Sequence, residues 1–356
     1  MNIANDSFTI GNRTGGKTII RMRGRSRLDS ANGVYLGSGN GAYGELDIGD
    51  DAFFKQDYYD YGIDIGSGSS STSDPAVGIL RISGNARLTT GRSPNTATLM
   101  QGLMVGKGTN GTYTQPVARG YLYMDGGAIT NKNNGVFAIG AGSAEGLVAQ
   151  SGGVIHHNGG RPVFVGFRGG RGTYTMTGGR MVAANNHAFV GGAPTNMVGY
   201  YISALADKPA HGTLSVLGGT FKVPRTIYVS AGGYGTLEVG PTGTVEAASL
   251  CLTNSLDAVN GVTAPAKLRF ALGPDGCGMV KASGSCFVMD DSEIEIDATL
   301  YSGNKGVPLL SCSALEGRFA PEKITIHAEH PALYGLRQTD NGLYLTCSKG
   351  MVITFR

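Results

Sequence analysis

A glycine-marked unit, G-x-φ-x-φ-x-G-G-x-φ with φ apolar, recurs along most of the chain. It reads Gly120-Tyr-Leu122-Tyr-Met124-Asp-Gly126-Gly127-Ala-Ile129, then Gly172-Thr-Tyr174-Thr-Met176-Thr-Gly178-Gly179-Arg-Met181. It returns as Gly212-Thr-Leu214-Ser-Val216-Leu-Gly218-Gly219-Thr-Phe221, with looser copies at 44–54, 78–88, 146–155 and 235–245. A unit this short cannot bury its apolar face alone. It must stack on its neighbours, which restricts the chain to a repeat architecture.

Each unit reads as three short strands. The first alternates apolar and polar residues, so Leu214 and Val216 share one face, as do Leu237 and Val239. The Gly-Gly pair supplies a sharp corner, where positive φ favours glycine. A second strand contributes one apolar residue, such as Ile129, Ile155, Met181, Phe221 or Val245. The third is an apolar triplet usually ended by glycine, as in Val34-Tyr35-Leu36-Gly37 or Val163-Phe164-Val165-Gly166. Gly126, Gly152 and Gly178 stand 26 residues apart, which sets the basic coil. No useful 3.6-residue period occurs, so helix is expected to be minimal.

The expected fold is all-β: a parallel β-helix with three strands per coil. Right-handed winding is the expected hand of parallel connections. Nine to ten coils spaced at strand distance would make a rod on the order of 45 Å long. Leu46, Leu80, Leu122, Val148, Tyr174, Leu214 and Leu237 should then form one inward ladder. The middle residues of the third strands form another column: Tyr35, Asp64, Met104, Phe137, Phe164, Phe189, Tyr228, Cys251 and Phe287. If it points outward, it is either an exposed apolar stripe suited to a partner or sugar, or a surface covered by a loop.

Residues 1–298 read as the repeat domain. From 299 to 356 the Gly-Gly code lapses and longer strands such as 323–328 and 342–347 suggest a C-terminal β cap continuous with the solenoid. Three excursions, 67–77, 107–119 and 192–211, leave from one corner, and in solenoids such insertions often mark the binding face. At the other end the repeat starts mid-unit at Phe8 with no evident cap. Exposed strand edges dock or aggregate unless covered. Residues 1–24 are therefore expected to abut another copy, another molecule or upstream chain, allowing a homo-oligomer or filament.

The chain has 59 glycines among 356 residues, no Trp, 41% apolar and 15% charged residues. Without a G-X-Y period this excludes collagen, and the apolar fraction excludes disorder. A net charge of +3 is too small to indicate nucleic acid. Arg21, Arg23, Arg25 and Arg27 alternate, and on one strand would form a positive stripe, either solvated or touching an acidic polysaccharide or phosphate. No apolar run is long enough for a membrane helix. Residues 1–6 lack the features of a signal peptide, so a signal is expected outside this chain. The five cysteines all lie between Cys251 and Cys347, without metal-ligand spacing. Cys277–Cys286, Cys312–Cys347 and a cross-coil Cys251–Cys286 pair are conceivable; buried free thiols are the alternative.

The G-T-L-x-V-x-G-G-x-φ units and I-Y-V-G-type strands resemble the autotransporter-associated β-strand repeats of large bacterial surface and secreted proteins. The closing run, 306–317 with 335–347, is similar to the last coil of such proteins. The resemblance covers about residues 8–347. It implies a right-handed β-helix, export and a surface or passenger-like role.

Motifs for chemistry are sparse. Gly11-Asn-Arg-Thr-Gly15-Gly16-Lys17-Thr18 matches the P-loop pattern, which works only between a strand and a helix; here a strand-like Ile19-Ile20-Arg-Met follows. Gly106-Lys-Gly108-Thr-Asn-Gly111 matches G-x-G-x-x-G without a βαβ unit. His156-His157 would point to opposite faces of a strand, favouring a structural role over a metal pair. No cofactor or metal is expected. The best candidate cluster is Asp57, Tyr58, Tyr59, Asp60 and Tyr61 with Arg92, Arg119, Tyr200, Tyr201 and Asp207. Aromatics with carboxylates suit a sugar-binding groove, and also the acid–base pair of a polysaccharide lyase or glycoside hydrolase; they also suit plain packing. The leading expectation is a non-enzymatic extracellular or cell-surface β-solenoid for structure or adhesion, binding polysaccharide or associating end to end. A carbohydrate-active β-helix enzyme is the alternative.

Overall fold

The computed structural model describes residues 2–3, 7–12, 15–56, 62–68, 74–92, 101–108, 116–133, 135–193, 209–257, 262–303 and 305–348. Three faces of stacked parallel strands make a β-solenoid. The first face runs from Lys17–Met22, paired in parallel with Tyr43–Ile48, to Ile324–His327. The second runs from Asn2–Ile3, paired with Arg27–Ser30, to Val307–Ser311. The third is an 11-stranded sheet from Phe8–Ile10 to Ala314–Glu316. Strand Asn2–Ile3 places the start of the repeat before Phe8. Among the described residues, Lys17–Met22 pairs with Tyr43–Ile48 only.

Side-chain alternation sorts the residues of every coil. On the first face Leu46, Leu80, Leu122, Val148, Tyr174, Leu214 and Leu237 stand opposite one another and are fully buried. Ile129, Ile155, Met181, Phe221 and Val245 form the second-face ladder. Val34, Ile63, Leu103, Phe137, Val163 and Ala188 form the third. The three ladders converge on one continuous core.

Phe137 therefore belongs to the interior, and Ala138 takes its place in the outward column opposite Met104 and Phe164. A one-residue slip inverts which face a side chain occupies. That column is also not an exposed stripe over most of its length. Met104, Ala138, Phe164 and Phe189 are buried in a second apolar cluster. Phe164, Phe189 and Tyr228 stack at 5.4 and 5.1 Å between ring centroids. Only its far end opens, at Phe287 and the neighbouring Met289.

Two columns of glycine let the third face turn onto the first. Gly140 ends Val136-Phe-Ala-Ile139 with φ +67°, and a Cβ there would lie 1.9 Å from the carbonyl oxygen of Arg171 in the next coil. Gly172 faces it from the first-face strand: its Cβ would lie 2.2 Å from the Ile139 oxygen. Neither side of this contact has room for a side chain. Ser230 occupies the first position in a later coil at φ 62°. Its hydroxyl accepts from Gly235 N–H at 2.7 Å and donates to the Pro265 carbonyl at 3.0 Å, fixing the turn by hydrogen bonds.

The last coil differs because its second face is closed by an antiparallel hairpin. Tyr334–Thr339 pairs with Gly342–Cys347, which also pairs antiparallel with Val307–Ser311. Gln338 bonds both the N–H and the C=O of Phe319, tying the hairpin to the buried Phe319.

Replacing Gly140 by Ala should destabilise by at least about 3 kcal/mol or prevent folding, since strained φ and backbone overlap act together. Gly24 has φ +61° but open space around its Cα. Gly24→Ala should cost only about 1–2 kcal/mol for the left-handed backbone. Denaturant unfolding of the two variants against wild type checks this, and equal losses would remove the role assigned to the close approach.

Candidate first-face groove

Outward positions on the first face form their own columns. One contains Arg21, Asp47, Arg81, Tyr123, Ala149 and Thr175 in successive coils. Long side chains give way to Ala149, and beyond the strand ends Asp125 is followed by Ser151. A groove of about 380 Å³ opens there, lined by Arg23, Asp47, Arg81, Tyr123, Asp125 and Ser151 among others. Because its walls come from different coils, it runs along the stacking direction.

Each of its two arginines is matched by a carboxylate. Arg23 crosses Gly49, where a Cβ would come within 3.1 Å of its Nη1. It pairs with the Asp47 carboxylate and donates to the carbonyls of Met22 and Asp47 at 2.9 and 3.2 Å. That hydrogen bond to Asp47 raises the Arg23 pKa further. Arg81 Nε donates to Glu45 at 3.0 Å, and its guanidinium lies 4.6 Å over the Tyr123 ring. The Tyr43 hydroxyl donates to Glu45 at 2.7 Å. Burial, then this bond, pushes Tyr43 up to about 12, while Glu45 is lowered by the bonds from Tyr43 and Arg81. Tyr121 and Tyr123 are parallel within 3°, 6.3 Å apart. Donors and acceptors already held in place beside an aromatic surface suit a polar ligand with an apolar face.

Of the residues singled out from sequence, Arg119 lies at the start of the first face, paired with Glu145 at 3.2 Å. Arg92 ends the strand Arg87–Arg92 at the second-to-third corner, and its side chain lies outside the described residues. Asp57, Tyr58, Tyr59, Asp60 and Tyr61 lie outside them too, as do Tyr200, Tyr201 and Asp207. The chain leaves for residues 57–61 at the same corner as Arg92, one coil earlier, whereas Arg119 belongs to another corner. The arginines of 21–27 do not share a strand face. The strand ends at Met22, turns at Gly24-Arg25 and resumes at Arg27. Arg27 pairs with Asp29, so no continuous positive stripe forms. The P-loop match opens a strand, Lys17–Met22, and no helix.

Tyr121, Tyr123, Arg81 and Asp47 escape sequence reading because they occupy the variable positions of the repeat. Aligning coils shows their one signal: Arg81 and Tyr123 are followed in the same column by Ala149.

Inside the helix, Ser30, Gln56, Thr90, Asn131 and His157 form a buried polar ladder that gives way to Ala183. Thr90 donates to Gln56 at 2.9 Å. Asn131 Nδ2 lies 3.1 Å from His157 Nδ1, so that nitrogen accepts, and His157 Nε2 donates to the Arg161 carbonyl at 2.6 Å. Both ring nitrogens are engaged while His156 points outward, exposed. The two imidazoles therefore lie on opposite faces of the strand, as their spacing implied, and His157 is held as part of the core. No group of three or more His, Cys, Asp or Glu suited to a metal occurs among the described residues.

All five cysteines are free. Cys251 stands opposite Phe287, not Cys286, so the two thiols project from opposite sides of the sheet. Cys277 packs against the carbonyls of Ala271 and Val239. Among the described residues no helix is long and apolar enough to cross a membrane. No protein-family model, curated protein or solved structure matches the chain.

Burial pulls the His157 imidazole down to about 4 from its ordinary 6.5. With the folded pKa below the unfolded one, the neutral ring's contribution is complete above pH 6.5. It is lost as pH falls toward 4, by about 3 kcal/mol at that pH. Unfolding midpoints measured from pH 7 to 4 should fall accordingly. His157→Gln should be less stable at pH 7 and show a flatter pH dependence; an unchanged slope would contradict a buried neutral ring.

Proposed function

We propose that the chain is an extracellular or cell-surface β-solenoid with a structural or adhesive role that binds neutral glycan strands along its first face. The observation that carries this reading is the groove crossing successive coils with Tyr123 beneath Arg81. An extended polymer can lie along it. A sugar ring presents C–H groups to the tyrosine face and hydroxyls to polar groups already held in place. Arg23 and Arg81 are each engaged by a carboxylate, which favours an uncharged polymer over an acidic one. The extracellular placement rests on the repeat's resemblance to autotransporter-associated strands.

Catalysis finds less support. Among the groove's described carboxylates, Asp47 is held by Arg23, leaving exposed Asp125 without an ion-paired partner. Acid–base cleavage needs two such groups set at defined separation.

Binding to neutral and acidic polysaccharides, followed by calorimetry and reducing-end assay, tests the proposal. A neutral glycan should bind without being cleaved. Tyr123→Ala should weaken it about tenfold, the ~1.4 kcal/mol of a lost aromatic contact. Binding unaffected by that change would move the site elsewhere. New reducing ends or unsaturated uronate absorbance would make the protein an enzyme.

A further inference from the structure

Asn32 and Gly33 lie in the turn between the second-face strand Arg27–Ser30 and the third-face strand Val34–Ser38. The Ser30 hydroxyl donates to the Asn32 carbonyl at 3.2 Å, and Gly33 N–H donates to Asn32 Oδ1 at 2.8 Å. The Gly33 nitrogen is thereby held beside Cγ, the carbon that carries that oxygen. With no Cβ on the glycine, nothing obstructs the approach. Neighbouring coils fix the chain on either side: Phe8 N–H donates to the Gly33 carbonyl at 2.8 Å, and Val34 N–H to the Gly62 carbonyl at 3.0 Å. Asn32 itself is half-buried, so the turn is open to water.

We propose that Asn32 is a site of spontaneous covalent modification, in which the Gly33 nitrogen closes a succinimide ring on the Asn32 side chain and water opens it to aspartate or isoaspartate. Asparagine is a chemically labile residue, and this turn supplies the nucleophile in place. Hydroxide removes the Gly33 amide proton, the nitrogen bonds to Cγ, and the bond from Cγ to the side-chain nitrogen breaks, releasing ammonia. Water then adds to one of the two ring carbonyls. Attack at Cγ restores the main chain and leaves aspartate. Attack at the main-chain carbonyl of residue 32 breaks the original peptide bond and leaves the chain routed through Cγ, as isoaspartate. The balance is one water consumed and one ammonia released, with no oxidant or reductant. Either product places a carboxylate in the turn, and isoaspartate also adds a methylene to the main chain beside the carbonyl that anchors Phe8.

The other Asn-Gly pairs within the described residues are held differently. At Asn40-Gly41 the glycine N–H is given to the Asp74 carbonyl at 2.9 Å. At Asn341-Gly342 the asparagine Oδ1 accepts from the Thr339 hydroxyl at 2.9 Å, and Gly342 lies in antiparallel register with both Thr339 and Ser311. Asn158 is exposed, with its main-chain N–H bonded to the Asn131 carbonyl at 2.8 Å and no bond between its side chain and the Gly159 N–H.

The test incubates the full chain, folded in buffer and in parallel unfolded in denaturant, and follows these four pairs by peptide mass spectrometry, with electron-based fragmentation to separate aspartate from isoaspartate. In the folded chain Asn32 should convert several-fold faster than Asn40, Asn158 or Asn341. Its rate should rise with pH, because the attacking nitrogen must lose its proton. Unfolding removes the fixed approach, so the four rates should draw together there. No conversion at Asn32 in the folded chain, or conversion no faster than at the other three, would overturn the assignment.

Discussion

The closest constraint in this molecule is backbone against backbone at the corner between the third and first faces. Gly140 and Gly172 meet there with no space for a Cβ, and the same pairing recurs in other coils, as at Gly106 and Gly146. This approach sets where each coil begins relative to the last. Parallel hydrogen bonding then carries the register around the other faces, and side-chain alternation divides each coil into core and surface. A continuous core from Ile10 to Leu345 follows from repeating that one local arrangement. Ser230 shows the constraint is geometric rather than a demand for glycine as such: its left-handed backbone is retained by two hydrogen bonds from one hydroxyl.

The same register creates the surface. Side chains that are distant in sequence, such as Arg23, Asp47, Arg81 and Tyr123, come to line one groove because each occupies an outward place in a successive coil. Asp47 pairs with Arg23 and Glu45 with Arg81, so the groove offers fixed hydrogen-bonding groups and an aromatic face. Inside, Thr90, Asn131 and His157 fill a corner that later coils fill with Ala183 and Ala247. Thr90 is bonded to Gln56 and Asn131 to His157 across coils, and Asn131 and His157 also bond the Val136 and Arg161 carbonyls within their own coils.

The repeat made most of the architecture legible. The Leu46-to-Leu237 ladder, the Gly-Gly corners and the three-strand coil all follow from two-residue alternation and glycine spacing. Errors arose where a single-residue shift decides a face. Phe137 and Ala138 exchange inside for outside, and Cys251 falls opposite Phe287 instead of Cys286. The arginines of 21–27 alternate in sequence, yet a corner divides them. The groove was least legible. It depends on variable positions brought together across coils, whereas Tyr58 and Tyr200, singled out for their composition, lie outside the described residues.

Hydrogen exchange read by mass spectrometry on the wild-type chain tests most directly the claim that glycine-set register holds all coils in one stack. The account predicts slow exchange along the first-face strands from Tyr43–Ile48 through Glu293–Asp297, with the interior coils losing protection together as denaturant is raised. Fast exchange in those strands under native conditions, or interior coils opening one by one without coupling, would contradict it.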